Sequence, residues 1–316
     1  MVETIPPGAG VMDAGRRPGV GYACVVAGTA LFAVNGTVSK VILDTGVSSL
    51  RLTELRCAGA LVGLLVVLLV IAPERLRVSR RELPLLAAFG IAGVAATQWF
   101  YFVAIARMPV GIALLLEYTA PVLVALWARF VLHEHVRNRM WAALALALGG
   151  LALVAQVWDG GSLDKIGVAA AFAAAAALAT YYLLGEHHTT SRDPLSTTFW
   201  SFVFATALWT VLQPWWNFPG SAFTGSTSLL GNIADVSAPV WVLSAWMIVL
   251  GTIIPFALVL TGLRHLPATR VGAVSMLEPV LASAVAWAWL GESLGAVQLA
   301  GGVVVLAAIL LAQTAR

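Results

Sequence analysis

The feature that most constrains this chain is the recurrence of apolar stretches long enough to cross a bilayer. Lipid offers backbone amides and carbonyls no partner, so each crossing of roughly 30 Å must be a helix of about 20 residues. Ten segments qualify: 21–43, 52–72, 83–103, 111–131, 140–158, 166–185, 196–214, 240–263, 269–290 and 296–313. Only 10% of the 316 residues are charged and the mean hydropathy is +0.92. Soluble domains carry about a quarter charged residues, so the chain reads as an all-α integral membrane protein with the lipid bilayer as its solvent.

The connections give an independent test, because short cytoplasmic loops collect Lys and Arg. With the N-terminus inside, the inner connections carry twelve such residues: Arg16, Arg17, Arg75, Arg77, Arg80, Arg81, Arg137, Arg139, Arg192, Arg264, Arg270 and Arg316. The outer connections carry two, Arg107 and Lys165. This asymmetry predicts ten spans with both termini cytoplasmic, and it accounts for the net charge of +3 without a nucleic-acid partner. Residues 1–19, rich in Gly and Pro, read as a disordered cytoplasmic tail with no secretory cleavage site. The longest connection, 215–239, lies outside and holds Trp215 and Trp216, expected at the membrane interface. Cys24 and Cys57, in apolar stretches, read as small packing residues.

One unit is written twice. At an offset of 158 residues Pro109 meets Pro267, Pro121-Val122-Leu123 meets Pro279-Val280-Leu281, and Glu134 meets Glu292. A unit of five spans is odd, so its second copy starts from the opposite side, and the repeats, 20–158 and 159–316, are inverted. The charges agree, since Glu134 falls among inner arginines and Glu292 in an outer turn, where it is placed to help start span ten. Inverted repeats mark many secondary transporters, which hold substrate near mid-membrane between the repeats.

The ten spans, the duplication and the repeat ends LHEHVRNRMWAALALALGG and LGESLGAVQLAGG resemble the EamA-type branch of the drug/metabolite transporter superfamily. LEYTAP at 116–121, PFALVLTGLRHLPATRVGAVSMLEP at 255–279 and the following LGESLGAVQL are most similar to bacterial threonine/homoserine exporters. The resemblance implies a ten-helix bundle in a bacterial plasma membrane, a central cavity, alternating access and amino-acid-like cargo.

Several polar residues lie within the spans. Glu278 is about nine residues, or ~13 Å, from the inner end of span nine. Intramembrane carboxyls of this kind face a cavity and often relay protons, although a structural hydrogen-bonded role is the alternative. Pro279 lacks an N–H and is expected to kink the helix and free the Ser275 carbonyl. Glu117 takes a comparable place in span four, ~9 Å from the outer surface, with a site role and a structural hydrogen-bonded role equally open; its neighbour Tyr118 either hydrogen-bonds cargo or, as the preferred reading, joins the aromatic belt. Arg56, in span two, either holds a substrate carboxylate, pairs with Glu54 or Glu117, or snorkels to the interface. Asn35, Gln98, Tyr101, Tyr181, Trp200 and Ser275 complete the candidate substrate contacts, with Thr180, Tyr182 and Ser201 near them; each such group can equally join helices. Gly59 and Gly63 permit close packing within the bundle or, as the weaker reading, a homodimer face.

His133, His135, His187 and His188 fall in cytoplasmic connections without the HExxH spacing, so no metal is expected. The chain has no Gly-rich phosphate loop and no convergent nucleophile, so neither ATP, another cofactor nor enzymatic chemistry is expected. The sequence thus points to a secondary exporter of small polar metabolites, with Glu278 and Glu117 exchanging protons. Other cargo (nucleosides, cationic drugs, lipid-like molecules) and a non-transporting scaffold remain the alternatives.

Overall fold

A computed structural model describes residues 17–105, 107, 110–158, 164–291 and 293–314. The first span is α1 (Pro18–Leu43) and the second α2 (Ser49–Ile71). Span three joins α3 (Leu83–Ala88) to α4 (Ala96–Ile105) through a π-helical stretch, Phe89–Ala95. Span four is divided into α5 (Val110–Glu117) and α6 (Ala120–Phe130), and span five is α7 (Asn138–Val154). The second repeat follows with α8 (Lys165–Ser191) and α9 (Pro194–Leu212). Its third span joins α10 (Val240–Ile248) to α11 (Ile254–His265) through the π-helical Val249–Ile253. Span nine is divided into α12 (Ala268–Ser275) and α13 (Glu278–Val285), with a last π-helical turn at Ala286–Leu290, and span ten is α14 (Ala296–Thr314).

Nine of these spans have at least 18 residues, and α7, at 17, still reaches across with one fewer. The chain is therefore a multi-pass, all-α membrane protein of two inverted five-helix repeats. The first helix starts at Pro18, so Pro18 and Gly19 belong to it and not to a tail. Proline suits a first helical position because its missing N–H would have had no partner there. The expected tail at 1–16 and the expected role of Glu292 lie outside the described residues. Span six runs two turns past its predicted end, carrying His187 and His188 within α8. His188 is buried with its ring 5.5 Å from that of Phe89, so it is not in an open connection.

The duplication extends to the irregularities of the backbone. The offset of 158 lays the π-helical stretch of span eight on that of span three and the interruption of span nine on that of span four. At both interruptions the ladder tightens by one residue: Thr119 N–H donates to the Leu116 carbonyl at 3.1 Å, and Leu277 N–H to the Val274 carbonyl at 3.0 Å. The cause lies two residues on, where Pro121 and Pro279 supply no N–H and crowd the carbonyls of Glu117 and Ser275. Where the sequence predicts a kink, two separate helices form.

Each face of the bundle has its own fastening. On the arginine-rich face, Arg192 reaches Glu82 at 2.7 Å and the Arg77 carbonyl at 3.1 Å, while Arg75 reaches Asp193 at 3.1 Å. The Ser79 backbone N–H and then Arg192 hold the Glu82 carboxyl below the usual carboxylate range, a stabilisation present at neutral pH and lost on acidification. On the far face, connection 213–239 is not featureless: β1 (Ser226–Ser228) pairs antiparallel with β2 (Ser237–Pro239). This hairpin is pinned to span nine, with Trp289 Nε1 donating to the Leu229 carbonyl at 2.8 Å and Asn232 Nδ2 to the Ala288 carbonyl at 3.1 Å.

Small residues set the closest helix approaches, as expected where no hydrophobic drive separates helix from lipid. Gly59 and Gly63 lie against Ile248 and Ile253, so that pair is used inside the bundle. A close backbone crossing joins α7 and α14, where a Cβ on Gly301 would stand 2.7 Å from the Gly150 carbonyl oxygen and 2.8 Å from the Val154 nitrogen. Backbone cannot yield as a side chain can. Gly301→Val is expected to lower stability by about 1–3 kcal/mol through overpacking, measured by thermal unfolding in detergent. Gly149→Val, whose new Cβ meets nothing within 4 Å, should leave the midpoint nearly unchanged.

Candidate functional site

The two interruptions bring polar groups into the middle of the bundle. Glu117 is the last residue of α5 and Glu278 the first of α13, so each carboxyl leaves the chain where the helical ladder is broken. The duplicated backbone carries different chemistry in its two copies. By the offset, Glu117 corresponds to Ser275, Tyr118 to Met276 and Ala120 to Glu278.

Glu117 is 7% exposed and Tyr118 4% exposed. The Tyr118 hydroxyl donates to Glu278 Oε2 at 2.7 Å, which removes Tyr118 from the interfacial belt where its sequence position had placed it. Glu117 lies in the electrostatic field of Glu278, and the Tyr101 and Tyr182 hydroxyls lie in the field of both carboxyls. Ser275, buried, bonds back to the Val271 carbonyl at 2.9 Å and has the Tyr182 hydroxyl within reach. A carboxyl centre thus forms from spans three, four, six and nine.

A guanidinium centre forms between spans two and eight. Arg56 Nε donates to Thr252 Oγ1 at 2.8 Å, and Nη2 to the Gly251 carbonyl at 3.2 Å. Thr252 donates in turn to the Met247 carbonyl five residues back, at 3.0 Å, within the π-helical turn of span eight. Such turns expose a carbonyl that an α-helix would consume, and they often occur at functional sites. Glu54 does not pair with Arg56, because Arg51, one turn back on the same helix, takes it at 2.8 Å. Neither is Glu117 a direct partner of Arg56; the charge that Arg56 senses at longer range is that of Glu278. Asn35, buried, packs against Gly251, and its Oδ1 has no protein hydrogen-bond partner.

Three of the sequence-predicted residues fall outside both centres. Tyr181 is stacked on Phe89 at 5.3 Å and edge-on to Phe256 at 5.7 Å, in an aromatic cluster that includes Phe202. Trp200 packs on Phe199 and Phe204. Gln98 donates to its own helix at the Val94 carbonyl, 3.3 Å away, and sits 4.0 Å from Cys57. Conversely, Tyr118 belongs to the carboxyl centre and not to the belt, and Thr252 belongs to the guanidinium centre. For Tyr118 the signal was a hydroxyl beside Glu117 in an apolar run; for Thr252 the pairing of spans two and eight left no trace in the sequence.

The interrupted helices do not approach equally along their length. Toward the arginine-rich face α6 and α12 pack directly, and a Cβ on Gly272 would stand 3.2 Å from Pro121. Toward the far face α5 packs on α8 and α13 on α1, with no comparable contact between α5 and α13. A cleft of about 310 Å³ occupies the gap, lined by Leu114 and Leu115 of α5, Pro279 and Ser283 of α13, Leu151 of α7 and Gln298 of α14 among others.

Inverted repeats with interrupted helices crossing at a buried polar centre define a membrane transporter. The chain belongs to the EamA-like transporter family, which it matches twice, over residues 19–156 and 165–314. It is 28% identical to the threonine/homoserine exporter RhtA of Salmonella typhimurium (strain SL1344) over 264 residues, covering 83% of this chain and 79% of that protein. Against RhtA of Escherichia coli (strain K12) the identity is 28% over 255 residues, or 80% and 76% of the two chains. The pseudopaline exporter CntI of Pseudomonas aeruginosa (strain UCBPP-PA14) is 27% identical over 286 residues, 89% of this chain and 93% of that one. A crystal structure superposes with a TM-score of 0.72 at 18% identity, covering 92% of this chain and 96% of the other, and so shares the fold.

Tyr118→Phe removes the hydroxyl that holds Glu278 and little packing volume. Its expected cost is about 1–3 kcal/mol, the range for a hydrogen bond to a carboxyl, measured by thermal unfolding. An unchanged midpoint would mean that the bond is not made.

Proposed function

We propose that the protein exports small zwitterionic metabolites, amino acids or their analogues, across a bacterial plasma membrane by alternating access. The arginine-rich connections face the cytoplasm. The observation that carries this reading is a carboxyl pair, Glu117 and Glu278, at the interruptions of spans four and nine, with the Arg56 guanidinium, held between spans two and eight, in the electrostatic field of Glu278. An α-ammonium fits the carboxyls, and an α-carboxylate fits the Arg56 fork. The names of the two kinds of relative support export, and the threonine/homoserine exporters support cargo of amino-acid size and charge.

Glu278 also serves as the proton carrier in this reading. It is half-buried, so it can exchange a proton with water entering from whichever side is open, and Tyr118 fixes the orientation of its carboxyl. Cargo and proton then compete for one group. Binding of the ammonium favours the ionised carboxylate, and its release on the far side leaves the carboxylate free to take a proton there.

Counterflow in proteoliposomes tests the cargo. Labelled threonine and homoserine, with a panel of other amino acids, should exchange in the parent protein. Glu278→Gln and Arg56→Ala should each reduce the rate by about 10–100-fold, the effect of losing one charge-assisted contact. Absence of counterflow for every amino acid offered, from protein that is folded and inserted, would overturn the cargo assignment. An imposed pH gradient should drive uptake in the parent and not in Glu278→Gln; equal uptake in both would remove the carboxyl from coupling.

A further inference from the structure

The pseudo-symmetry carries a statement about motion that the static bundle does not display. Contacts made by one repeat with the other have a mate, found by exchanging the repeats at the offset of 158 residues. The mate of the α6–α12 contact is an α5–α13 contact. In residues, the mate of Pro121 against Gly272 is Pro279 against Leu114. The first pair is closed, leaving too little room for even a Cβ on Gly272 to sit at ordinary van der Waals distance from Pro121. The second pair is open, and both its members line the 310 Å³ cleft.

We propose that Leu114 and Pro279 are the far-face gate of the transporter, the counterpart of a Pro121–Gly272 gate on the arginine-rich face, and that the two close in alternation. This rests on the alternating-access reading above. The hinge of each gate is the duplicated interruption, Tyr118–Thr119 in span four and Met276–Leu277 in span nine, where an unbroken helix could not bend. The gates are mates in backbone but not in side chain. Gly272 lets Pro121 approach so closely that one added methyl would already be crowded at 3.2 Å. Leu114 stands in the equivalent place on the far face with a full isobutyl group. The far gate therefore shuts less tightly than the basic one, and the resting protein favours the arrangement seen, closed at Pro121–Gly272 and open at Leu114–Pro279.

Two substitutions change this balance from opposite ends. Leu114→Ala trims the obstruction in the far gate, at a side chain that lines the cleft and also packs against the core, so its thermal midpoint is measured beside the cross-link. Gly272→Leu places at the basic gate the residue its mate carries. The reporter is a disulfide between cysteines on opposite walls of the cleft, Leu115→Cys and Ser283→Cys, in the full chain with Cys24→Ala and Cys57→Ala. Oxidation in liposomes with copper phenanthroline should cross-link the parent pair poorly, and both variants should raise the yield about 5-fold, a modest population shift. Should Gly272→Leu fail to fold, Gly272→Ala gives the same test with the single methyl. An unchanged yield in either gate variant, with the thermal midpoint preserved, overturns the proposal. Counterflow by the cysteine-free parent separates the two readings. Transport with an unresponsive cross-link removes the gates and leaves the exporter, whereas a responsive cross-link without transport leaves the gates and removes the exporter.

Discussion

Every backbone polar group in a bilayer has to find its partner inside the protein, and the architecture of this chain follows from that one demand. It makes each crossing a helix, and it also decides where a helix can be broken. An interruption costs several unpaired groups, each worth kcal/mol in hydrocarbon. The chain places both of its interruptions where spans four and nine meet within the bundle, away from lipid, and tightens the ladder on one side of each through Thr119 and Leu277. The irregular turns of spans three and eight sit beside them. The regular parts of the fold are thus the wall, and the departures from regularity, collected at the centre, are where polar chemistry is possible.

Duplication explains why the departures come in pairs, and divergence explains why the chemistry does not. The same turn holds Glu117, Tyr118 and Ala120 in one repeat and Ser275, Met276 and Glu278 in the other. The two carboxyls occupy opposite edges of equivalent breaks, so the inverted repeats aim them into one space. A symmetric scaffold with an asymmetric lining is suited to asymmetric cargo. An amino acid has one cationic and one anionic end, and in the proposed function Glu278 takes the first and Arg56 the second.

Much of this was legible in the residues. Apolar length gave the spans, paired prolines gave the duplication, and the oddness of a five-span unit gave the inversion. The out-of-place carboxyls Glu117 and Glu278 marked the centre, because a charged group in a greasy segment has few other uses. What escaped were relations between segments. Measured along one straight helix Tyr118 lies at interfacial depth, whereas its partner stands 160 residues away on another helix. Arg56 could be matched with carboxylates nearby in sequence, but the acceptors it uses are a hydroxyl and a carbonyl that a π-helical turn presents, and no periodicity announces such a turn. The long reach of α8 past Gly185 escaped for a simpler reason. Its last turns are polar, and they leave the apolar slab while remaining helical.

The small β-hairpin on the far face has a meaning beyond closing a loop. Its hold on the main-chain carbonyl of Ala288 and on the Trp289 indole ties it to the end of the same span that carries Glu278. The hairpin therefore travels with that helix end or must let go of it. A water-exposed element mechanically joined to the buried working segment is a natural handle. An antibody fragment or small binder raised against 226–239 would grip the span that carries Glu278 by its far-face end.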